Sequence, residues 1–115
     1  MKRDMDLIRK IVLAVETAPR QELSDVDQQA FNYHANLLIE AGLAEGAVGP
    51  LQRGIPAMIV LWRLTWNGHD FADSIKDDTI WNKARENVFK PTASWSFGVL
   101  LTYLKAEIIR NIPGI

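Results

Sequence analysis

The sequence of 115 residues contains no cysteine. This absence excludes disulfide bonds, thiolate nucleophiles, zinc ribbons and iron–sulfur clusters, so side-chain packing must supply the stability of the fold. Histidine is almost as scarce, because His34 and His69 are the two in the chain, and their spacing fits no metal-binding motif. We therefore expect neither a metal ion nor a cofactor.

Long hydrophobic runs are also missing. The longest, Ile55 to Trp62, is interrupted by Pro56 and is much shorter than the roughly 20 residues that cross a bilayer. The first residues, Met1–Asp6, contain charges of both signs and lead into an amphipathic stretch, unlike the apolar segment of a signal peptide. We expect a cytoplasmic protein that does not associate with membranes.

Catalytic motifs are absent as well. His69 next to Asp70 suggests acid–base chemistry, but the sequence has no nucleophile motif and no phosphate-binding glycine loop to accompany the pair. His34 lies between Phe31 and Leu38 on an apolar stripe, which favours a hydrogen-bonded core histidine. We expect that the protein is not an enzyme.

The composition is that of one folded globular domain. Hydrophobic residues make up 48% of the chain and charged residues 23%, which is far from the composition of disordered proteins. One hydrophobic core is enough for a chain of this length. The sequence therefore predicts a single domain over residues 1–115.

Two helices are predicted in the first third of the chain. Apolar residues recur at helical spacing over residues 6–17 and again over residues 30–41. Asp4 is the expected N-cap of the first helix, and Ser24 or Asp25 that of the second, because their side chains accept hydrogen bonds from free backbone N–H groups.

A β-hairpin is predicted after Gly42, where the second helix is expected to end. Leu43–Val48 and Ala57–Leu64 are its strands, and a loop rich in glycine and proline forms its tip. Alternation along the second strand predicts one face with Met58, Val60, Trp62 and Leu64 and another with Ala57, Ile59, Leu61 and Arg63. Both faces are largely apolar, so we expect both to be covered.

Three further helices are predicted in the remainder, which makes the expected fold class α+β. Thr65 is the expected cap of the first, in which Gly68 allows close packing against a strand. Asp77 or Asp78 caps the next, and Ser94 opens the last. The expected apolar seam of the last helix consists of Phe97, Leu101, Leu104 and Ile108.

Several local sequences resemble a known family. They are the run Met1–Ile11, the stretch Tyr33–Leu43, and the segments Leu64–Phe71 and Trp81–Ala84, in that order. Together they are similar to an uncharacterised bacterial and phage family, domain of unknown function 2513, over roughly residues 1 to 105. The resemblance implies a winged-helix-like fold and an origin in phage, prophage or other mobile DNA, and it implies no activity.

The expected winged helix is an abridged one. Its core would span residues 1–64, as helix, helix and β-hairpin wing, with a C-terminal helical extension over residues 65–115. Ordinary DNA-binding winged helices place two helices between the first helix and the wing. Residues 20–42 have room for one good helix, so the support helix is missing or reduced to a turn.

Charge distinguishes the candidate partners. The net charge of the chain is -1, but residues 21–52 contain the carboxylates Glu22, Asp25, Asp27, Glu40 and Glu45 and no lysine or arginine. Because duplex DNA is bound largely through cationic side chains, an acidic second helix favours a protein partner. An inhibitor of a bacterial defence complex, such as an anti-CRISPR protein, is one form of this hypothesis. A DNA-binding transcriptional regulator is the alternative.

The predicted sites follow from this hypothesis. The partner-binding surface on the second helix comprises Asp25, Asp27, Gln28, Asn32, Asn36 and Glu40. The wing tip adds Gln52 and Arg53, of which the arginine would serve the DNA alternative by entering a minor groove.

A homodimer through the last helix is a further hypothesis. Its expected interface comprises Trp95, Leu101, Leu104, Ile108 and Ile109. Trp62 and Trp81 fall on apolar faces and are expected in the core, whereas Trp66 and Trp95 lie at helix starts, as lids of the core or as interface anchors.

Overall fold

The computed structural model describes residues 1–18, 23–90 and 96–112. Within these ranges the chain has five α-helices and a small antiparallel sheet, which confirms the predicted α+β class. The helices are α1 (Met5–Thr17), α2 (Gln28–Glu40), α3 (Trp66–Ile75), α4 (Asp78–Ala84) and α5 (Phe97–Arg110). The strands are β1 (Ala44–Val48), β2 (Leu51–Gln52), β3 (Ile55–Pro56) and β4 (Ile59–Leu64).

The chain divides into two compact units, Met1–Ala72 and Asp73–Ile115. The division into these units does not test the predicted single domain or its internal boundary at residue 64. Both therefore stay predictions. In the described ranges no helix is both long enough and apolar enough to cross a membrane.

Carboxylate caps fix the starts of α1 and α2. Asp4 caps α1 as predicted, because its side chain accepts hydrogen bonds from the N–H groups two and three residues further on. The prediction for α2 was wrong by two to three residues. Asp27, instead of Ser24 or Asp25, caps this helix by accepting a hydrogen bond from the N–H of Ala30 at 3.1 Å.

The core of the first unit lies between these helices and the inner face of the hairpin. α1 packs on α2 and on β4, and α2 packs on β1. The buried apolar residues of this unit are Met5, Ile8, Ile11, Val12, Val15, Ala35, Leu38, Leu43, Ala44, Ile59, Leu61, Leu64, Phe71 and Ala72. The helical spacing of the apolar residues in α1 therefore reflects burial, as predicted.

A β-bulge changes the faces of the hairpin. β1 and β4 pair in antiparallel register, but the register shifts after Glu45, and Trp62 on β4 has no partner. This extra residue lets both Leu61 and Leu64 face the core, and it leaves Trp62 outside with 48% of its surface exposed. The predicted core position of Trp62 was therefore wrong, because Trp62 shares the exposed outer face with Met58 and Val60. Alternation fails only beyond Trp62, where the bulge turns Leu64 from the predicted outer face to the core.

Gly46 makes this bulge possible. A Cβ atom at this position would lie 1.9 Å from the backbone oxygen of Val60, so no other residue fits without moving the strand. The expectation that both hairpin faces are covered was also wrong. Met58 and Val60 lie on the outer face and are 69% and 37% exposed.

The start of α3 packs closely against the entry to the hairpin. Thr65 caps α3 as predicted, because its hydroxyl oxygen accepts a hydrogen bond from the N–H of Gly68 at 3.0 Å. A Cβ atom on Gly68 would lie 1.9 Å from the backbone oxygen of Leu43. The prediction that this glycine allows close helix–strand packing is confirmed.

The second unit is built around Trp81, which is 1% exposed. Asp77 caps α4 as predicted, by accepting a hydrogen bond from the N–H of Ile80 at 3.0 Å. A π-helical turn, Arg85–Phe89, continues α4 and brings the ring of Phe89 edge-on to the Trp81 ring, with 5.4 Å between the centroids. The predicted core position of Trp81 is confirmed.

α5 buries a different stripe from the predicted seam. Its cap is Ser96, whereas the predicted Ser94 lies outside the described residues. The buried side chains of α5 are Leu100, Leu104 and Glu107, so of the predicted seam Leu104 alone is fully buried. The Glu107 carboxylate lies 2.7 Å from the Arg110 guanidinium and 3.5 Å from the Lys83 ammonium. These ion pairs let a carboxylate occupy a position that periodicity assigns to an apolar residue.

Candidate functional site

The tip of the hairpin is a tight turn around Arg53 and Gly54. The short strands β2 and β3 pair through Gln52 and Ile55, which leaves a two-residue connection. Both connecting residues have positive φ, 54° for Arg53 and 81° for Gly54, as in a type I′ turn. Asparagine or glycine is the usual choice at the first position, and a larger side chain there costs about 1 kcal/mol. The backbone therefore holds Arg53 in a strained conformation.

This tip and α2 together line two adjoining concavities. The larger has a volume of about 670 Å³ and is lined by Gln28, Gln29 and Asn32 of α2, by Gln52 and Arg53 of the tip, and by residues 55–57. The smaller, of about 300 Å³, is lined by Met1, by Tyr33, Asn36, Leu37 and Glu40 of α2, and by residues 53–55. Arg53 and Ile55 line both concavities. The structure therefore brings the predicted wing tip and much of the predicted helix surface together.

Asn32 was predicted as part of the exposed partner-binding surface, and this was wrong, because its side chain makes contacts inside the fold. Its side chain is buried, at 4% exposure of the residue, and its amide nitrogen donates to the carbonyl oxygens of Pro56 and Ala57 at 3.0 and 3.4 Å. Its amide oxygen accepts a hydrogen bond from the amide of Gln28 at 2.7 Å. Asn32 therefore fastens α2 to the hairpin, because a buried amide needs such partners.

The predicted carboxylates have different local roles. Asp25 is exposed and forms an ion pair with Lys10, which offsets its charge. Asp27 is exposed and caps α2. Glu40 is exposed and accepts a hydrogen bond from the amide of Asn36 at 3.2 Å. The free carboxylate charge along α2 is therefore concentrated at its two ends.

The pKa of Asp25 should report the ion pair directly. The hydrogen bond from the Lys10 ammonium lowers the pKa of this carboxyl below its ordinary value. A lowered pKa means that the pair stabilises the folded chain above the ordinary carboxyl range and that this contribution disappears as the pH falls through the pKa of the folded state. We expect Lys10→Met to raise the pKa of Asp25 in a carboxyl NMR titration. An unchanged titration curve would contradict the pair.

We define the α2–tip surface as the exposed or half-exposed polar residues that border the two concavities. Those with amide or charged side chains are Gln28, Gln29, Asn36, Glu40, Gln52 and Arg53, and we include with them the adjoining exposed cap residue Asp27. Two carboxylates and one guanidinium make this surface electrically mixed. Its distinctive chemistry is the number of side-chain amides.

Gln29 is the member of this surface that the sequence prediction missed. The prediction followed the stripe of Gln28, Asn32 and Asn36 at intervals of four residues. Gln29 follows the neighbouring stripe, which contains Asn36 at an interval of seven, and it became relevant once the hairpin tip lay against α2. Helical periodicity alone could have suggested it, but the position of the tip could not be read from the sequence.

His34 has the structural role that the sequence predicted. It is 2% exposed, and its Nδ1 lies 2.7 Å from the carbonyl oxygen of Ala30. The N–H of Asp4 donates to its Nε2 at 2.8 Å, so Nδ1 carries the proton and donates. His69 is exposed, with Nδ1 3.9 Å from a carboxylate oxygen of Glu16. Among the described residues, no three histidines or carboxylates come together as metal ligands.

The predicted dimer surface on α5 is only partly exposed. Leu104 is fully buried within the second unit, so it is not available to a partner. Leu101 and Ile108 are half-buried, and Ile109 is 53% exposed. Trp95 lies outside the described residues. The homodimer stays a prediction, now based on Leu101, Ile108 and Ile109.

Comparison with known proteins identifies the family. A family model described as hypothetical protein (DUF2513) matches residues 2–94. An uncharacterized protein of Haemophilus influenzae is 33% identical over 96 residues, which cover 76% of this chain and 79% of the relative. No solved structure matches the chain. The chain belongs to the DUF2513 family, and the predicted resemblance is confirmed.

Proposed function

We propose that this member of the DUF2513 family is a non-enzymatic binding protein that contacts a protein partner through the α2–tip surface. The observation that carries the proposal is the position of Arg53, which a strained turn holds at the border of two concavities against α2. The surrounding structure must compensate for the cost of such a conformation. Residues in such conformations are therefore rare, and they are concentrated at ligand-contacting sites.

The charge of this surface supports a protein partner over duplex DNA. α2 contains no lysine or arginine, and Asp27 and Glu40 lie at its two ends. A helix that enters a major groove must approach two phosphate backbones, which these carboxylates would repel. Protein surfaces offer both signs of charge at short spacing, and they suit a mixed surface better.

The order of elements supports an abridged winged helix as the fold behind this function. α1, α2 and the β1–β4 hairpin follow one another, with the hairpin as the wing and Arg53 at its tip. Residues 23–27 before α2 form a turn and no helix. A wing that is preceded by one helix, without a separate support helix, is suited to binding through its tip and one helix face.

DNA binding is the second candidate, and Arg53 favours it. An arginine at a wing tip is suited to a narrow minor groove, where the potential is most negative. The protein would then act as a transcriptional regulator of a mobile element. An inhibitor of a bacterial defence complex, such as an anti-CRISPR protein, is the concrete form that we favour for the protein-binding proposal.

A charge reversal at Glu40 separates the two candidates. We expect Glu40→Lys to reduce capture of the protein partner from host lysate at least about tenfold, a loss of about 1.4 kcal/mol, since the partner faces a carboxylate there. The amount of partner captured on immobilised full-length protein is quantified by mass spectrometry at several salt concentrations. The same variant should bind duplex DNA more tightly if DNA is the true ligand.

Glu86→Lys is the matched control. Glu86 is also an exposed helical glutamate with a hydrogen bond to a residue four positions away, in its case Lys90 at 2.6 Å, and it lies in the second unit. Capture should be unchanged in this variant. Equal losses in Glu40→Lys and Glu86→Lys, or tight DNA binding that Glu40→Lys strengthens, would refute the α2–tip surface as a protein-binding site.

A further inference from the structure

We infer that the larger concavity binds an extended polypeptide segment of the partner and that Arg53 pairs there with a carboxylate of this segment. The inference rests on the proposed function, and it specifies the chemistry of the partner. It follows from the groups that line the concavity, from their free hydrogen-bonding capacity and from the charges around it.

The lining offers hydrogen-bonding groups that the fold leaves unused. Among the residues that the structure describes, the side chains of Gln29, Gln52 and Arg53 have no hydrogen-bond partner. Each glutamine amide provides N–H donors and a carbonyl acceptor. A peptide main chain presents N–H and C=O groups, and it therefore requires partners of both kinds. Gln28 is already bonded to Asn32, so it supports the wall of the concavity. The free amides therefore suit an extended backbone.

Of the described residues that line the larger concavity, Arg53 is the one that carries a charge. In the part of the chain that the structure describes, the larger concavity has no carboxylate in its lining that would compete for this guanidinium, whereas the smaller concavity has Glu40. A guanidinium with five donors in a planar fork binds a carboxylate through two parallel hydrogen bonds. The larger concavity is therefore suited to a ligand with a single negative charge.

The surroundings favour a carboxylate over the phosphates of a nucleic acid. A nucleic-acid strand carries a charge at every nucleotide, so it needs several cations along its path. The nearest charged residue along the chain at this end of α2 is Asp27, whose carboxylate would repel a neighbouring phosphate, and the charge of Asp25 is offset by Lys10. A polypeptide with one aspartate, glutamate or C-terminal carboxylate avoids this repulsion.

The strained turn allows a variant that removes the guanidinium without harming the fold. Asparagine is well tolerated at positive φ, so Arg53→Asn should keep the type I′ turn and raise the Tm of the protein slightly. A loss of binding in this variant could not then be attributed to unfolding. Arg53→Lys keeps the charge but loses the planar fork, and it should bind with intermediate affinity.

The test is an NMR titration of the full-length protein with two capped pentapeptides. One has a central glutamate and alanine elsewhere, and the other has glutamine in place of the glutamate. We expect the glutamate peptide to shift the side-chain amide signals of Gln29 and Gln52 and the Nε–H signal of Arg53, with a Kd on the order of 1 mM. The glutamine peptide, and the glutamate peptide with Arg53→Asn, should bind at least about tenfold more weakly.

Three results would overturn the inference. Equal binding of both peptides would exclude the carboxylate, and no shift by either peptide at saturating concentration would exclude the segment. Tighter binding of inorganic phosphate than of the glutamate peptide would make phosphate the ligand.

Capture by the Glu40→Lys variant tests the α2–tip surface without reference to a carboxylate. If capture falls in that variant but neither peptide binds, the proposed function stands and this inference fails.

Discussion

Replacing Gly68 by alanine is expected to destabilise the first unit strongly. The new Cβ atom would lie 1.9 Å from the backbone oxygen of Leu43 and 3.0 Å from the Cβ atom of Leu64. The Leu43 oxygen cannot move away cheaply, because it accepts a hydrogen bond from the N–H of Thr65 at 3.0 Å. We expect a loss of about 3 kcal/mol or more, which is a large share of the typical 5–15 kcal/mol that folds a domain. Thermal and urea denaturation followed by circular dichroism measure it.

Gly98→Ala is the control for this substitution. Gly98 also lies in a helix, but among the described residues a Cβ atom there would meet nothing closer than the hydroxyl oxygen of Ser96 at 3.8 Å. Because alanine is the better helix former, this variant should gain up to about 1 kcal/mol. If Gly68→Ala behaves like Gly98→Ala, the close approach of α3 to Leu43 is incorrect.

Replacing Trp81 by alanine should have the next largest effect, in the second unit. The indole is 1% exposed and contacts the ring of Phe89 edge-on. Truncation leaves a cavity that the surrounding residues fill only in part, and such changes cost about 3–5 kcal/mol for a large aromatic residue. We expect a strongly lowered Tm by differential scanning calorimetry. The matched control is Trp66→Ala, since Trp66 is 85% exposed and its loss should change stability by no more than about 0.5 kcal/mol.

A Tm that falls equally in both tryptophan variants would contradict the environments assigned to them. The comparison also bears on binding. Trp66 was expected either to cover the core or to anchor an interface, and its exposure leaves the second of these hypotheses open to test. Its removal in the capture experiment would show whether the partner reaches the start of α3.

The helices could be predicted from the sequence because their signals are local. Asp4, Thr65 and Asp77 cap their helices as expected, since a cap depends on residues within one turn. Asp25 met every local criterion for a cap of α2, yet its side chain forms an ion pair with Lys10 of α1. The local sequence was compatible with more than one cap for α2. An ion pair between residues distant in the sequence holds Asp25 in a different role.

The hairpin faces and the last helix could not be predicted, for two physical reasons. Period-2 alternation assumes that every residue of a strand has a partner, and the unpaired Trp62 breaks that assumption. Glu107 occupies a buried position on α5 because Lys83 and Arg110 compensate its charge. A sequence pattern assigns carboxylates to the surface and contains no information about such compensation.

The candidate site was predicted in its parts and missed in its arrangement. Gln28 and Glu40 on the second helix and Arg53 on the wing tip were expected to contact a protein partner, but the sequence did not indicate that the helix and the tip lie against each other. The turn at Arg53 and Gly54 and the packing of β3 on α2 bring these surfaces together. Both depend on backbone conformations that arise only when the hairpin is folded.

The hydrogen bonds of Asn32 lower the entropic cost of binding a partner. By bonding to the carbonyl oxygens of Pro56 and Ala57, it anchors the wing to α2 before any partner arrives. A wing that is ordered in advance loses little conformational entropy on association, so a few polar contacts suffice for useful affinity. Partners can then be distinguished by their charge and shape, since the surface has little freedom to adapt to the wrong one.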